Sequence, residues 1–565
     1  MVKLDSKKLG DLLLLTNGLV ILVLVNLLAS HYFFRIDLTE EKRFSVKEPT
    51  QKMLEELDDK VYVEVFLEGE LNSSFRRLQK SIRETLEEFR IYSDDKVQFV
   101  FTDPNTAASQ KARNEFMQDL AQKGITPTNV VDPKDGQVTE KIIFPGVLIS
   151  YAGFETGVTL LKGNKALTAD EQINQSIEGL EFELSNAIYK LANADRKRIG
   201  FVTGHGELDS LEIASFNNSL LESYDVYKVD FSKGKPLDRY DALIIAKPTS
   251  RYSEQDKYRL DQYIMKGGKV LFLIDKLDAK MERASEENYA AFPYDLSIDD
   301  QLFKYGVRLN MDLIQDRNAG LYPVVTGESG GKPQQQLMDW PFNPLVNRYA
   351  DHPITRNLDA VVMKFVSSID TVKAQGVKKT PLLFTSQYSR RVSAPVQVNI
   401  NDLRKNVTPE SYSESFIPVG YLLEGKFTSV FKNRFLPEGV NQAGFKDEGA
   451  ATKIIVFADG DLARNDVNPR TGQPQQLGFD PFVRYTFANN ELLMNAVAYL
   501  VQEDGLIAAR NKEVKIRPLD KEKVRNEKLK WQIINLVLPL ILLIAYGIVR
   551  SVLRKRKFSS FTHAA

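Results

Sequence analysis

The chain has 565 residues, with 75 Lys plus Arg against 75 Asp plus Glu, no Cys, and 43% hydrophobic and 10% aromatic residues. A formal charge of zero offers no field for a polyanion such as nucleic acid, and the apolar content excludes a disordered tether. The missing thiols exclude disulfides, thiolate metal sites and cysteine nucleophiles, and the length calls for about three or four folding units.

Lys3, Lys7 and Lys8 precede an apolar run over 12–34 that is interrupted only by Thr16, Asn17, Gly18 and Asn26. A signal peptide would have a shorter apolar core ending at a small-residue cleavage site, whereas this run ends in Ser30-His31-Tyr32-Phe33-Phe34-Arg35. It reads as an uncleaved transmembrane helix behind a cytoplasmic tail at 1–11. The alternating charge over 35–46, then Pro49 and an amphipathic turn with Met53, Leu54 and Leu57, predict a stalk over 35–59 that leads into a helix.

A first α/β unit is expected over 60–195. Val61 to Leu67 alternates as a strand, and Phe75, Leu78, Ile82, Leu86 and Phe89 recur at helical spacing. A strand at 97–101, a helix over 106–122 stopped by Gly124, strand-like runs near Asn129, over 142–151 and over 157–161, and a helix marked by Ile173 through Leu191 complete it. This order, βαβα then ββα, is similar to the thioredoxin-like arrangement. Without Cys, such a unit serves as scaffold or binding domain. The apolar stripe of its last helix also looks like a protein-binding seam, although such stripes face their own core by default.

A second α/β unit is expected over 196–505, as a mostly parallel Rossmann-like or flavodoxin-like sheet. The strand ending at Val202 runs into Gly204-His205-Gly206-Glu207, and Asp209 or Ser210 then caps a helix. Strands at 226–229, 242–246 and 270–274 and a helix over 254–266 follow, and short apolar strands alternating with helices imply a sheet covered on both faces. The Gly-, Pro- and Gln-rich stretch over 276–452 predicts an irregular insertion, with strand candidates at 361–366, 382–385, 396–400 and 416–423. The sheet pattern returns at 453–466, a helix is expected over 490–501, and a charged linker over 506–530 leads to a second apolar run at 531–549.

That run is about 30 Å long as a helix, enough to span a bilayer core, and it is closed by Arg550, Arg554, Lys555, Arg556 and Lys557 in a basic tail over 550–565. With cations outside both runs, the positive-inside rule predicts a two-pass protein with both termini cytoplasmic and the α/β units beyond the membrane. Asn26 and Asn535 are then amides in lipid, where a partner helix can satisfy them, and tolerated single amides are the plainer reading. The basic tail is a topology determinant that could also touch anionic lipid.

With the two terminal runs, Asp37-Leu-Thr-Glu-Glu-Lys-Arg-Phe-Ser, Thr203-Gly-His-Gly-Glu and Phe457-Ala-Asp-Gly-Asp-Leu-Ala-Arg-Asn in place, the chain resembles the GldG family over essentially its whole length. These are gliding-motility-associated auxiliary components of an ABC transporter, known from Bacteroidetes. The resemblance implies an inner-membrane protein with a large periplasmic part, working with a permease subunit and a cytoplasmic ABC ATPase, and with other motility proteins as further partners. It also implies likeness to a domain of an intraflagellar-transport protein. The family carries a substrate-binding label, and no ligand residues transfer from it.

Gly204, His205, Gly206 and Glu207 sit where ligands dock in open parallel sheets, at a strand's carboxyl end and a helix N-terminus. The structural reading is a tight turn with local hydrogen bonds. His205, Glu207 and Asp209 with Asp459 and Asp461 could assemble a metal site if their loops meet, but the spacing matches no metal motif and Asp459-Gly460-Asp461 lacks the rest of an EF-hand loop, so a capping turn and no metal are expected. There is no Gly-x-Ser-x-Gly elbow and no Walker A sequence, so neither catalysis nor ATP hydrolysis is assigned to this chain, and no cofactor is expected. A non-enzymatic transporter subunit is the primary expectation. The alternatives are a tethered enzyme or receptor using the His205 loop, and a passive scaffold.

Overall fold

The computed structural model describes residues 6–31, 45–106, 109–134, 137–162, 168–192, 196–286, 288–329, 332–404, 408–440, 443–501 and 521–559. Helix α1 (Ser6–His31) carries the apolar stretch Leu12–Leu27, and residues 32–34 of the expected span lie outside the described residues, as do residues 35–44 of the expected stalk. Helix α2 (Glu48–Glu55) has Pro49 in its first turn, where the missing N–H is no loss. Val46, Leu54 and Leu57 are buried in the core that follows.

Strand β1 (Val61–Val65) leads to α3 (Ser73–Tyr92), whose start is fixed by Asn72 accepting from Phe75 N and whose inward face is Phe75, Leu78, Ile82, Leu86 and Phe89. Then come β2 (Val97–Phe101), α4 (Gln110–Gln122), a hairpin of β3 (Thr128–Lys134) and β4 (Gln137–Ile143), β5 (Gly146–Tyr151), β6 (Phe154–Thr159) and α5 (Ala169–Ala192). The sheet runs β2-β1-β5-β6, with β1 parallel to β2 and β5 antiparallel to both β1 and β6. The anticipated βαβα then ββα order is present, with the β3–β4 hairpin added before β5. In α5, Ile173, Leu180, Leu184 and Ile188 face this core, while Phe182 packs on Ala498 of a later helix.

The central sheet begins with β7 (Arg198–Thr203), α6 (Ala214–Leu221), β8 (Asp225–Asp230), β9 (Ala242–Ala246), α7 (Glu254–Met265), β10 (Lys269–Leu273) and α8 (Asp299–Tyr305). After them come β11 (Asp312–Asp316), β12 (Ala319–Ser329), β13 (Lys332–Val346), β14 (Arg348–Tyr349), β15 (Val377–Phe384), β16 (Ser389–Ser393), β17 (Pro418–Thr428), β18 (Glu448–Phe457) and α9 (Asn489–Val501). The strands order as β14-β15-β17-β18-β10-β9-β7-β8. From β18 to β8 all neighbours are parallel, and from β14 to β18 all are antiparallel. Every residue of β9 and four of five in β10 are buried, so both faces are covered. Helix α9 lies on β9, β10 and β18 beside α6, and α7 lies against β17 and β18.

The stretch over 276–452 departs from its expected irregularity. Residues 327–329, 332–336 and 340–344 belong to the long β12–β13 hairpin, with register shifts at Ala319/Leu321 and Val325/Gly327. Trp340, Phe342, Pro344 and Val346 alternate inward, but prolines at 341 and 344 mask that period in the sequence. The candidates at 382–385 and 416–423 fall largely in β15 and β17 and extend the central sheet instead of forming a subdomain. Those at 361–366 and 396–400 reduce to the pairs Val361–Val362 and Val396–Gln397.

Residues Val514–Ala565 are a separate unit, described here by α10 (Lys521–Ser559), which contains Pro539. Within its stretch Arg525–Leu553, of 29 residues, an 18-residue window reaches a mean hydropathy of 2.3, and none of that window is buried.

Candidate functional site at the carboxyl edge of the central sheet

The parallel strands appear in the order 2-1-3-4-5, reading β8, β7, β9, β10, β18, so the winding reverses between β7 and β9. Open sheets leave a crevice at the carboxyl ends beside such a reversal. The loops after β7, β9, β10 and β18 meet at that edge.

After β7, Gly204 and Gly206 adopt φ of +123° and +73°. A Cβ on Gly206 would lie 2.2 Å from Thr249 Oγ1, so glycine is what lets the loop after β9 close over the turn. That loop is tied down by Thr249 N and Ser250 N, which donate to His205 O at 2.9 and 2.8 Å. The His205 ring is 5% exposed and stacks on Tyr252 with centroids 3.6 Å apart. Its Nδ1 lies 3.3 Å from Glu207 Oε1 and its Nε2 3.2 Å from Asp256 Oδ2. Burial disfavours the imidazolium, but Glu207 and Asp256 outweigh it and raise the pKa above the ordinary histidine value. Glu207 also accepts from His205 N at 2.7 Å and from the Tyr252 hydroxyl at 2.9 Å. Both ring nitrogens are thus engaged inside the fold, and what the turn exposes is Gly204 and Gly206. Asp209 accepts from Leu211 N and Glu212 N ahead of a helix that begins at Ala214, and it does not join His205.

The second half of the edge is an ionic cluster. Lys247, directly after β9 and at φ +54°, places Nζ 3.0 Å from Asp275 Oδ2 and 2.6 Å from Asp461 Oδ1. Gly460 N donates to Asp275, and a Cβ on Gly460 would lie 2.7 Å from Lys247 Cβ. Asp459 Oδ2 accepts from Lys364 N at 2.8 Å, while its Oδ1 is buried without a hydrogen-bond partner. The expected capping turn at 459–461 is therefore corrected: Gly460 is the N-cap position without a side-chain cap, and both carboxylates point into the fold.

Burial pushes the Asp275 carboxyl up to about 6 despite Lys247. Burial, Asp275 and Asp461 together raise Asp459 well above the carboxylate range. Burial also acts on Asp461, but the Lys247 charge outweighs it and lowers the pKa. Lys247 is desolvated too, and its two carboxylate neighbours raise it nonetheless. Asp275, Asp459 and Asp461 bring carboxylate oxygens within 4.8 Å of one another. They could hold a hard divalent cation only if the Lys247 ammonium withdrew, because the chain's own cation occupies that ground. The His205 group and this acidic group are distinct sets, so the five-residue metal grouping considered from sequence does not assemble.

A pocket of about 330 Å³ opens beside Asp461, lined among others by Tyr322, Lys364, Phe365, Arg464 and Phe482. Arg464 lies 3.5 Å from Asp461 and 3.1 Å from Glu212. Sequence reasoning missed Lys247, Tyr252, Asp256 and Asp275. A usable signal exists for two of them: Lys247 and Asp275 are the first polar residues after the apolar runs 242–246 and 270–274, as Asp459 is after 454–458. Asn26 and Asn535 are exposed on α1 and α10.

A family profile described as an ABC-type uncharacterized transport system matches residues 196–496, a little over half the chain, and a domain of unknown function (DUF7088) matches residues 40–150. An uncharacterized protein of Borreliella burgdorferi is 24% identical over 568 residues, covering 98% of this chain and 99% of that protein. Among solved structures, the mmIFT52 N-terminal domain is similar over 55% of this chain and 99% of its own length, at 14% identity and a TM-score of 0.31.

Proposed function

This chain belongs to the family of ABC-type uncharacterized transport systems, and on that premise we propose that it is a non-enzymatic accessory subunit anchored in a bacterial inner membrane. Its α/β body lies on the periplasmic side, and its spans pack on a permease served by a cytoplasmic ABC ATPase. The observation that carries this reading is α10. Its 29-residue stretch Arg525–Leu553 is about 43 Å long and contains an 18-residue apolar window that is wholly unburied, so that window needs lipid or other membrane helices around it. The stretch Leu12–Leu27 supports a second anchor, continued in sequence by Leu28, Ala29, Tyr32, Phe33 and Phe34. Exposed Asn26 and Asn535 support helix packing through amide hydrogen bonds. The 2-1-3-4-5 order supports a flavodoxin-like body, and the β2-β1-β5-β6 order supports a thioredoxin-like first unit acting as scaffold. A role in gliding motility, with other motility proteins as partners, is supported by the resemblance.

Co-purification from mild detergent tests the reading. Recovery of the permease and ATPase with the full-length chain is the expected result, and a lone monomer overturns it. A ligand receptor is the second reading, favoured by the pocket beside Asp461 and by the exposed Gly204 and Gly206 of the turn after β7. Joint His205→Ala and Glu207→Ala substitution separates the two: lost function with an intact complex supports the receptor, and full function in a folded variant removes the turn from it.

A further inference from the structure

Away from the carboxyl edge, the β14 end of the central sheet gathers a second set of polar groups. Arg317 follows β11, Asn347 and Arg348 sit at β14, Gln387 and Tyr388 follow β15, and Phe416 precedes β17. All line one open cavity of about 690 Å³. Among the described residues neither Arg317 nor Arg348 has a carboxylate within ion-pair distance. Each guanidinium instead stands over an aromatic ring: Arg317 lies 5.8 Å from the Tyr388 centroid and Arg348 5.9 Å from that of Phe416.

The loops are built to hold these groups. Asp316, 1% exposed, accepts from Asn318 N and the Ser386 hydroxyl on one oxygen, and from Ser386 N and the Ser389 hydroxyl on the other. Both of its oxygens are occupied by these donors. Arg317 N donates to Tyr388 O, and Phe416 N to Ser386 O. Phe416 is held at φ +54°, a left-handed conformation that is uncommon for a bulky residue and is kept only where its surroundings enforce it.

We propose that this cavity binds an acidic saccharide, a sugar unit bearing a carboxylate or a phosphate. Two guanidinium forks that lack protein carboxylates receive the anion. The negative faces of Tyr388 and Phe416 meet the weakly positive C–H face of a sugar ring. Asn347 and Gln387 supply the paired donor and acceptor that vicinal hydroxyls require. Among the described residues no aliphatic side chain lines the cavity, so its apolar contacts are the two ring faces. The site is independent of the membrane reading above.

The test uses the full-length chain in detergent micelles and isothermal titration with trigalacturonate, glucose 6-phosphate, maltotriose, hexaglutamate and inorganic phosphate. At least one of the two acidic sugars should bind about tenfold or more tightly than maltotriose, hexaglutamate and inorganic phosphate. The Arg317→Ala/Arg348→Ala pair should weaken that binding about tenfold or more with an unchanged melting temperature, since both side chains are exposed. Tyr388→Ala should weaken it about threefold or more. Failure of both acidic sugars to bind overturns the proposal. So does hexaglutamate or phosphate matching them, or unchanged binding in the folded double variant.

Discussion

Lys247 Nζ lies 2.6 Å from Asp461 Oδ1, so the loop after β9 is joined by charge to the loop after β18 across the top of β10. Removing one partner of a buried pair leaves the other uncompensated, which is the costly half of such an arrangement. Lys247→Met should therefore destabilise the body by about 3–5 kcal/mol, read from the denaturant midpoint. A midpoint within experimental error of the parent would show that the pair contributes little.

The acidic cluster also sets a pH dependence. Asp275 has a folded pKa of about 6, above the ordinary value near 3.9, so the native state holds the extra proton between about pH 4 and about 6. Stability from this group is greatest below that window, falls as pH rises through it, and levels off above. Asp459 is raised as well and acts in the same direction. Asp459→Asn keeps the acceptor for Lys364 N and removes the carboxylate, so it should raise the melting temperature at pH 7.5 and flatten the slope. A lower melting temperature at that pH counts against the cluster's protonation.

His205 has the opposite chemistry and the same sign. Its raised pKa means that the imidazolium's bonds to Glu207 and Asp256 stabilise fully below about pH 6.5 and are lost as pH climbs through the folded value. Glu207→Gln should move the NMR titration of the His205 ring to lower pH. An unmoved titration would show that Asp256 alone sets it.

Gly206→Ala meets both a positive φ and Thr249 Oγ1. A loss of about 1–3 kcal/mol is expected, and adding Thr249→Ala should restore part of it by removing the clash while the backbone strain stays. Full rescue would assign the whole cost to the clash.

For the proposed membrane helix α10, Asn535→Leu should leave membrane extraction behaviour unchanged and weaken recovery of permease in mild detergent, with an effect of about 1 kcal/mol. Equal recovery would place Asn535 against lipid.

The apolar strands were legible because a buried parallel sheet needs short continuous runs such as Ala242 to Ala246, which few other structures require. The amphipathic helices showed through the spacing of Phe75 to Phe89. The β12–β13 hairpin was not legible, since its prolines and glutamines serve a ribbon whose residues 325–327 and 334–337 are exposed, and only Trp340, Phe342, Pro344 and Val346 keep the period. At the site, Gly204 and Gly206 announced the turn, but Asp256, which meets His205, and Lys247, which joins Asp461 to Asp275, come from elsewhere in the chain. That pairing is a property of strand order, which residue spacing does not encode.

Strand β18 enters the sheet beside β10 only after the whole stretch over 276–447 has been made. During synthesis β10 therefore waits with one edge unpaired, and the strand that covers it is made ahead of α9 and the apolar helix α10. The sheet can be completed before the C-terminal helix arrives in the life of the nascent chain. A product truncated before 448 would keep an open parallel edge, ready to pair with other chains.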